Sequence, residues 1–267
     1  MRALKRLLGR KGASVEVSES RGVRTLHLGG EAIQSAMRLS APDRLELAYT
    51  RAMMAFLLFA PAPRDIFMVG LGGGSIARFV HERLPRTRIT VLELSPKVVA
   101  AARTFFGLPP DDRRLKVIVG DGAEHIAARR AACDVFLLDA FDDLRSVRSL
   151  ATASFYAACR DALRPGGVFV VNFIADEPRF GKYLARIERV FDRRVLCLPS
   201  QDRMNMIVLA FRGRVDQIRI APLKRAARAL ERDLELPFDR FVRDLGAHNP
   251  GDSTHLEFGR AQADHHG

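Results

Sequence analysis

Cysteine is scarce in this chain: Cys133, Cys159 and Cys197 stand far apart and form no CxxC pair. That spacing argues against a disulfide framework or a thiolate zinc site and fits a reducing cytosol. No set of His, Cys and carboxylate residues falls at ligand spacing, so no metal is expected. Long apolar runs are missing too. The amino terminus, MRALKRLLGRKG, is basic but lacks the apolar centre of a secretion signal. The longest apolar stretch, Ala52 to Pro63, is too short to span a bilayer and reads as a buried helix end. Acids are outnumbered, with 31 Asp and Glu against 43 Lys and Arg, for a formal charge of +12. This bears on solubility and long-range steering more than on function. No RRM, KH or helix-turn-helix signature interleaves aromatics with the arginines, so neither nucleic acid nor membrane is an expected partner. The expected location is cytoplasmic.

What is present is a folded chain of 267 residues, 48% hydrophobic and 28% charged, long enough for one α/β domain with an appendage. From residue 64 short apolar runs alternate with amphipathic stretches, the pattern of a parallel sheet covered by helices. Strands are predicted at DIFMVG, RITVLEL, LKVIV, DVFLLD and GVFVVNF. Helices are predicted at Ser75–Leu84, Pro96–Phe106, Ala123–Arg130 and Thr152–Leu163, with RPGG at 164–167 as a breaker before the fifth strand. A helix near Phe180–Val190 then leads into RRVLCLP and MNMIVLAF, whose short connection permits only an antiparallel pair. A doubly wound sheet that ends in an antiparallel hairpin is the architecture of class I S-adenosylmethionine-dependent enzymes. Residues 1–42 are expected to form a small region with a β-hairpin (SVEVS, turn ESRG, VRTLHLGG), and 43–245 the catalytic domain. That domain would be led by a helix begun near Ser40 and Pro42, and 246–267 would be a frayed tail in which His265 and His266 are solvated.

The stretch IFMVGLGGGSIARFV, residues 66–80, is a strand, a glycine-rich turn and a helix opened by Ser75. Such a turn brings backbone N–H groups and the positive end of a helix close to a ligand, and several adenosine-bearing ligands exploit it. Glycines 70, 72, 73 and 74 leave the choice open. Glu93 ends the second strand 21 residues after Gly72, where a carboxylate accepts both ribose hydroxyls. Asp121 follows the third strand in VGDGAE, at the place where adenosyl-sulfonium enzymes read the adenine amino group. Asp139, Asp142 and Asp143 follow the fourth in LLDAFDD. Open α/β sheets bind ligands beyond the carboxyl ends of their strands.

From about Val23 to Phe211 the chain resembles the spermidine synthase (polyamine aminopropyltransferase) family, through GGEAIQS, LAYTRAMM, GLGGGS, VLELSPKVV, DDRRLKVIVGDG, LLDAFDD and ALRPGGVFVVN. The resemblance implies a donor, decarboxylated S-adenosylmethionine or S-adenosylmethionine, held by Gly70, Gly72, Gly73, Gly74, Ser75, Glu93, Leu94, Asp121, Gly122 and Gln34. It implies a small-molecule amine acceptor and a homodimer. Gln34 matches the glutamine of the family's DGxxQ and Tyr49 the tyrosine of its YHE, both lining the active site. Asp139 matches the aspartate that deprotonates the attacking amine and Asp142 the one that holds the polyamine. Two departures stand out. GGGDGG is here GGGSIA, so Ser75 replaces an Asp that faces the donor amine and would repel the carboxylate of the intact compound. YHE is here YTR, so Arg51 replaces a glutamate and would oppose the acids that gather a cationic acceptor.

Transfer from a sulfonium is an in-line displacement, so the protein positions two reactants and supplies a carboxylate for the amine's proton. Three readings follow. The first is an aminopropyltransferase with Asp139 as base, the second a methyltransferase on the same scaffold. The third is a non-catalytic binder of adenosyl nucleosides. A side chain at Gly72 is expected to fill the donor's place while leaving the fold mostly intact.

Overall fold

In a computed structural model the structure describes residues 2–7, 15–30, 32–127, 129–140, 150–213 and 217–258. Alternation decides the architecture. Along β5 (Asp65–Val69) Ile66 and Met68 face one core while Phe67 and Val69 face another, and Val135 and Leu137 oppose Phe136 and Leu138 in the same way along β8 (Cys133–Leu138). Strands apolar on both faces must be covered on both faces. They lie inside a seven-stranded sheet of order β10-β11-β9-β8-β5-β6-β7. Its remaining strands are β6 (Arg88–Glu93), β7 (Leu115–Val119), β9 (Leu163–Ile174), β10 (Val195–Pro199) and β11 (Asn205–Phe211). Pairing is parallel from β7 to β9 and antiparallel for β9–β11 and β11–β10, as expected from the short connection.

The crossovers are α2 (Ser75–Arg83), α3 (Pro96–Phe105), α4 (Gly122–Ala127), α5 (Ala153–Ala162) and α6 (Phe180–Val190). Thr152 caps α5 by accepting from the Phe155 N–H at 3.1 Å. RPGG is no breaker: β9 already begins at Leu163, and Gly166 and Gly167 lie within it beside a shift of register against β8, where an irregular strand needs small residues.

The N-terminal region is larger than a hairpin. β1 (Arg2–Leu7), β2 (Val15–Ser20), β3 (Val23–Leu28) and β4 (Ser35–Arg38) form a four-stranded antiparallel sheet in which a two-residue turn at Arg21 and Gly22 joins the predicted pair. The leading helix is shorter than expected. α1 covers only Ala48–Met53 and continues as a 3-10 turn, Met54–Leu58. Upstream of it the carbonyls that a helix would use are taken by arginines. Arg51 Nη1 donates to Leu45 O at 2.8 Å and Glu46 O at 2.7 Å, and Arg78 Nη2 donates to Pro42 O.

Two further helices, α7 (Ile220–Leu234) and α8 (Phe238–His248), follow the hairpin. Their apolar sides, including Leu223, Phe238 and Phe241, join the core formed by the 3-10 turn and one face of the sheet. The expectation of a frayed tail is wrong up to Phe258. β13 (His255–Glu257) pairs with β12 (Gln217–Arg219), Leu256 is 1% exposed, and the Phe258 ring lies 5.4 Å from that of Phe211. One buried leucine in a polar stretch has no period to betray it. Asn249 also returns to the sheet, accepting from Cys197 N at 2.7 Å and donating to Cys197 O at 2.8 Å, so it satisfies the free edge of β10. His265 and His266 lie outside the described residues.

Candidate active site

The parallel strands bring their carboxyl ends to one rim, where Glu93 ends β6, Asp121 follows β7 and Asp139 follows β8. Asp142 and Asp143 lie outside the described residues. The glycine-rich turn crosses this rim between β5 and α2. Gly70 has φ +93°, and a Cβ there would sit 2.0 Å from the Asp139 carbonyl oxygen. Turn and aspartate are thus in direct backbone contact, and only a residue without a side chain permits it.

Gly72 has φ +53°, and a Cβ there would lie 2.8 Å from Ser35 Oγ, the same oxygen that accepts from the Gly73 N–H at 2.8 Å. The expectation that a side chain at Gly72 would disturb only the donor needs correction, because β4 closes over the turn from outside. Gly74 caps α2, whose first residue, Ser75, is buried. Gly122 opens α4 against the Val69 side chain.

Glu93 is bonded on both oxygens, accepting from Leu71 N and Ser95 N at 2.9 Å each. Burial nevertheless pushes its carboxyl above the ordinary range, against the pull of these backbone hydrogen bonds. Asp121 Oδ1 accepts from Ala123 N at 2.7 Å at the head of α4. Between these acids two apolar side chains face outward: Leu94 is 66% and Val119 50% exposed. Exposed aliphatic residues on a polar rim offer surface for a flat apolar ring. Val119 was missed by sequence reasoning, since a valine ending a strand carries no signal of its own.

Asp139 occupies the other half of the rim. Asn172 Nδ2, from β9, donates to its Oδ1 at 2.9 Å, and Tyr49, from α1, also hydrogen-bonds to the carboxylate. The Tyr49 hydroxyl lies 3.1 Å from Gln34 O, so Gln34, Tyr49 and Asp139 form one cluster beside the turn. Burial lifts the Asp139 carboxyl to about 6, against the opposing pull of Asn172 and Tyr49. Ile174 and Met204 stand exposed at the same end of β9 and β11. Among the described residues no group of three or more His, Cys, Asp or Glu side chains is arranged to hold a metal ion, and no helix is long and apolar enough to cross a membrane.

Residues 46–191 match the family model described as the spermine/spermidine synthase domain. The chain is also 40% identical over 242 residues to a polyamine aminopropyltransferase of Chromobacterium violaceum, covering 91% of this chain and 93% of that protein. The chain belongs to the spermine/spermidine synthase family. Among solved structures, a probable spermidine synthase from Corynebacterium glutamicum superposes with a TM-score of 0.71 at 22% identity over 95% of this chain and 98% of that one. Human methyltransferase-like protein 13 in complex with SAH superposes with a TM-score of 0.64 at 28% identity, over 71% of this chain and 93% of that one. The family is one of transferases.

Arg51, expected to oppose the acids that gather the acceptor, is engaged elsewhere among the described residues, which do not include Asp142 and Asp143. Its guanidinium is turned to Leu45 O and Glu46 O, and to Gln201 Oε1 at 3.1 and 3.3 Å, which ties the β10–β11 turn to α1. Burial lowers its pKa, and Glu46 and Asp202 are the charges it faces. Ser75 supplies no charge at the first turn of α2, in keeping with the sequence.

Proposed function

We propose that this protein transfers an aminopropyl group from decarboxylated S-adenosylmethionine to a small amine, with Asp139 as the base. The observation that carries this reading is the placement of Asp139: a half-buried carboxylate at the end of the central strand, fixed by Asn172 and Tyr49, and touching the glycine-rich turn through its own backbone. Glu93 would accept the ribose hydroxyls, Asp121 would read the adenine amino group, and Leu94 and Val119 would flank the ring. The donor supplies a sulfonium, which makes the attached propyl carbon electrophilic.

The protein's own part is alignment and proton removal. The amine lone pair forms the new C–N bond as the C–S bond breaks, its electrons going to sulfur, and methylthioadenosine leaves. Asp139 takes the proton released from nitrogen. Tyr49, with one hydroxyl proton to share between Gln34 O and the carboxylate, would orient Asp139. Asp142 is the proposed anchor of the cationic end of the acceptor. The test is release of methylthioadenosine with putrescine as acceptor. The wild-type protein should release it, while Asp139→Asn should fall by at least a hundredfold. Full turnover by the variant would remove Asp139 from the base role.

A second reading, methyl transfer from intact S-adenosylmethionine, is favoured by Ser75. Without an aspartate there, nothing at the head of α2 repels the carboxylate of the intact donor. The 28% identity to a structure solved with SAH points the same way.

A further inference from the structure

The paired parts of β9 and β11 are apolar almost throughout, VFVVNFI over 168–174 and NMIVLAF over 205–211; Asn172 interrupts the first run and Asn205 opens the second. In the antiparallel register Asn172 lies opposite Ile207 and Asn205 opposite Ile174, which makes the two asparagines diagonal neighbours on one face of the sheet. Asn205 Nδ2 donates to Asn172 Oδ1 at 2.9 Å, and Asn172 Nδ2 donates to Asp139 Oδ1 at 2.9 Å. The Asn205 backbone is held in place, since its N–H donates to Ser200 Oγ at 3.0 Å and its carbonyl accepts from Ser200 N at 2.8 Å. Ser200 Oγ in turn donates to Asp202 Oδ1 at 2.6 Å.

An amide has a donor end and an acceptor end, and only the donor end supports a carboxylate. If Asn172 turned over, its oxygen would face Asp139 and repel the ionised form. The turn is prevented because Asn172 Oδ1 is already committed to Asn205. A leucine at 172 would suit the strand better, and an amide there is favourable only when both its ends are bonded, as those of Asn172 are.

We infer that Asn205 and Asn172 are positioning residues for the transfer reaction, a two-amide relay that keeps a hydrogen-bond donor permanently aimed at the Asp139 carboxylate. The inference rests on the reading of Asp139 as the base. The groups facing that carboxylate from the packed elements are Asn172 from β9 and Tyr49 from α1, and among the described residues no charged side chain faces it. Burial and these two hydrogen bonds therefore set the pH at which the base becomes available, with Asn172 opposing burial.

The test is the pH profile of methylthioadenosine release from decarboxylated S-adenosylmethionine and putrescine, for wild type, Asn172→Leu, Asn205→Leu and the double variant, with melting curves run alongside. Loss of the donor at 172 should move the acid limb alkaline by about one pH unit. Asn205→Leu, which frees the Asn172 amide to turn, should move it in the same direction by less. The double variant should match Asn172→Leu alone, because Asn205 acts only through Asn172. A merely structural role would lower melting temperature and rate and leave the acid limb where it is, and that result, in either single variant that still melts cooperatively, overturns the relay. Asn205→Leu also serves if Asn172→Leu fails to fold. Asp139→Asn separates the two claims. Full turnover in that variant overturns base and relay together, whereas an inactive Asp139→Asn with unmoved limbs in the asparagine variants overturns the relay alone.

Discussion

Replacing Asp139 by asparagine should make the protein more stable as it makes it inactive, and the gain should depend on pH in a fixed way. An aspartate ordinarily titrates near 3.8, and burial lifts Asp139 to about 6. Below pH ~4 the carboxyl is protonated in both folded and unfolded chains and contributes nothing. Between the two values the unfolded chain ionises while the native one holds its proton, so stability is lost as pH rises. Above about 6 the full cost is present: roughly 1.36 kcal/mol for each tenfold separation, or about 3 kcal/mol here. Asparagine is neutral throughout and still offers Oδ1 to the Asn172 amide. Urea unfolding of both proteins across this range should therefore show nearly equal stability at about pH 4 and a gap approaching 3 kcal/mol at neutral pH. A gap that does not change with pH would refute the claim that burial of this charge is what the native state bears.

Other outcomes follow from the same geometry. Gly70→Ala places a Cβ 2.0 Å from the Asp139 carbonyl oxygen, so urea unfolding should show a loss of about 2 kcal/mol or more, with turnover falling as Asp139 is displaced. Ser75→Asp puts a carboxylate at the head of α2, and calorimetric titration should show preference moving toward the decarboxylated donor by about tenfold. Leu94→Ser removes an exposed apolar wall of the proposed adenine site and should weaken donor binding several-fold without changing the melting temperature. The rate of transfer should rise with pH through about 6 as Asp139 ionises, and again in the alkaline range where the amine loses its proton.

The short apolar runs DIFMV and CDVFLL placed the central strands correctly, because strands buried on both faces read as continuous apolar runs. The rim acids were legible for the same reason, since Glu93 and Asp139 stand where apolar runs stop. What could not be read depended on partners distant in sequence. The helix expected from Ser40 starts only at Ala48 because Arg51 and Arg78 claim the carbonyls before it, and no local pattern announces where an arginine will reach. Gly70 was read only as a ligand-facing glycine; that the Asp139 backbone, 69 positions later in the chain, forbids a side chain there was not legible. Asn172 and Asn205 were passed over because a single amide in an apolar strand looks incidental until the register sets the two side by side.

The most direct test of the proposed activity is to incubate the protein with putrescine and either decarboxylated or intact S-adenosylmethionine, and to identify the nucleoside released by mass spectrometry. Aminopropyl transfer predicts methylthioadenosine, formed only from the decarboxylated donor and only in the presence of the amine. S-adenosylhomocysteine formed from the intact donor, with no methylthioadenosine from the other, would contradict it.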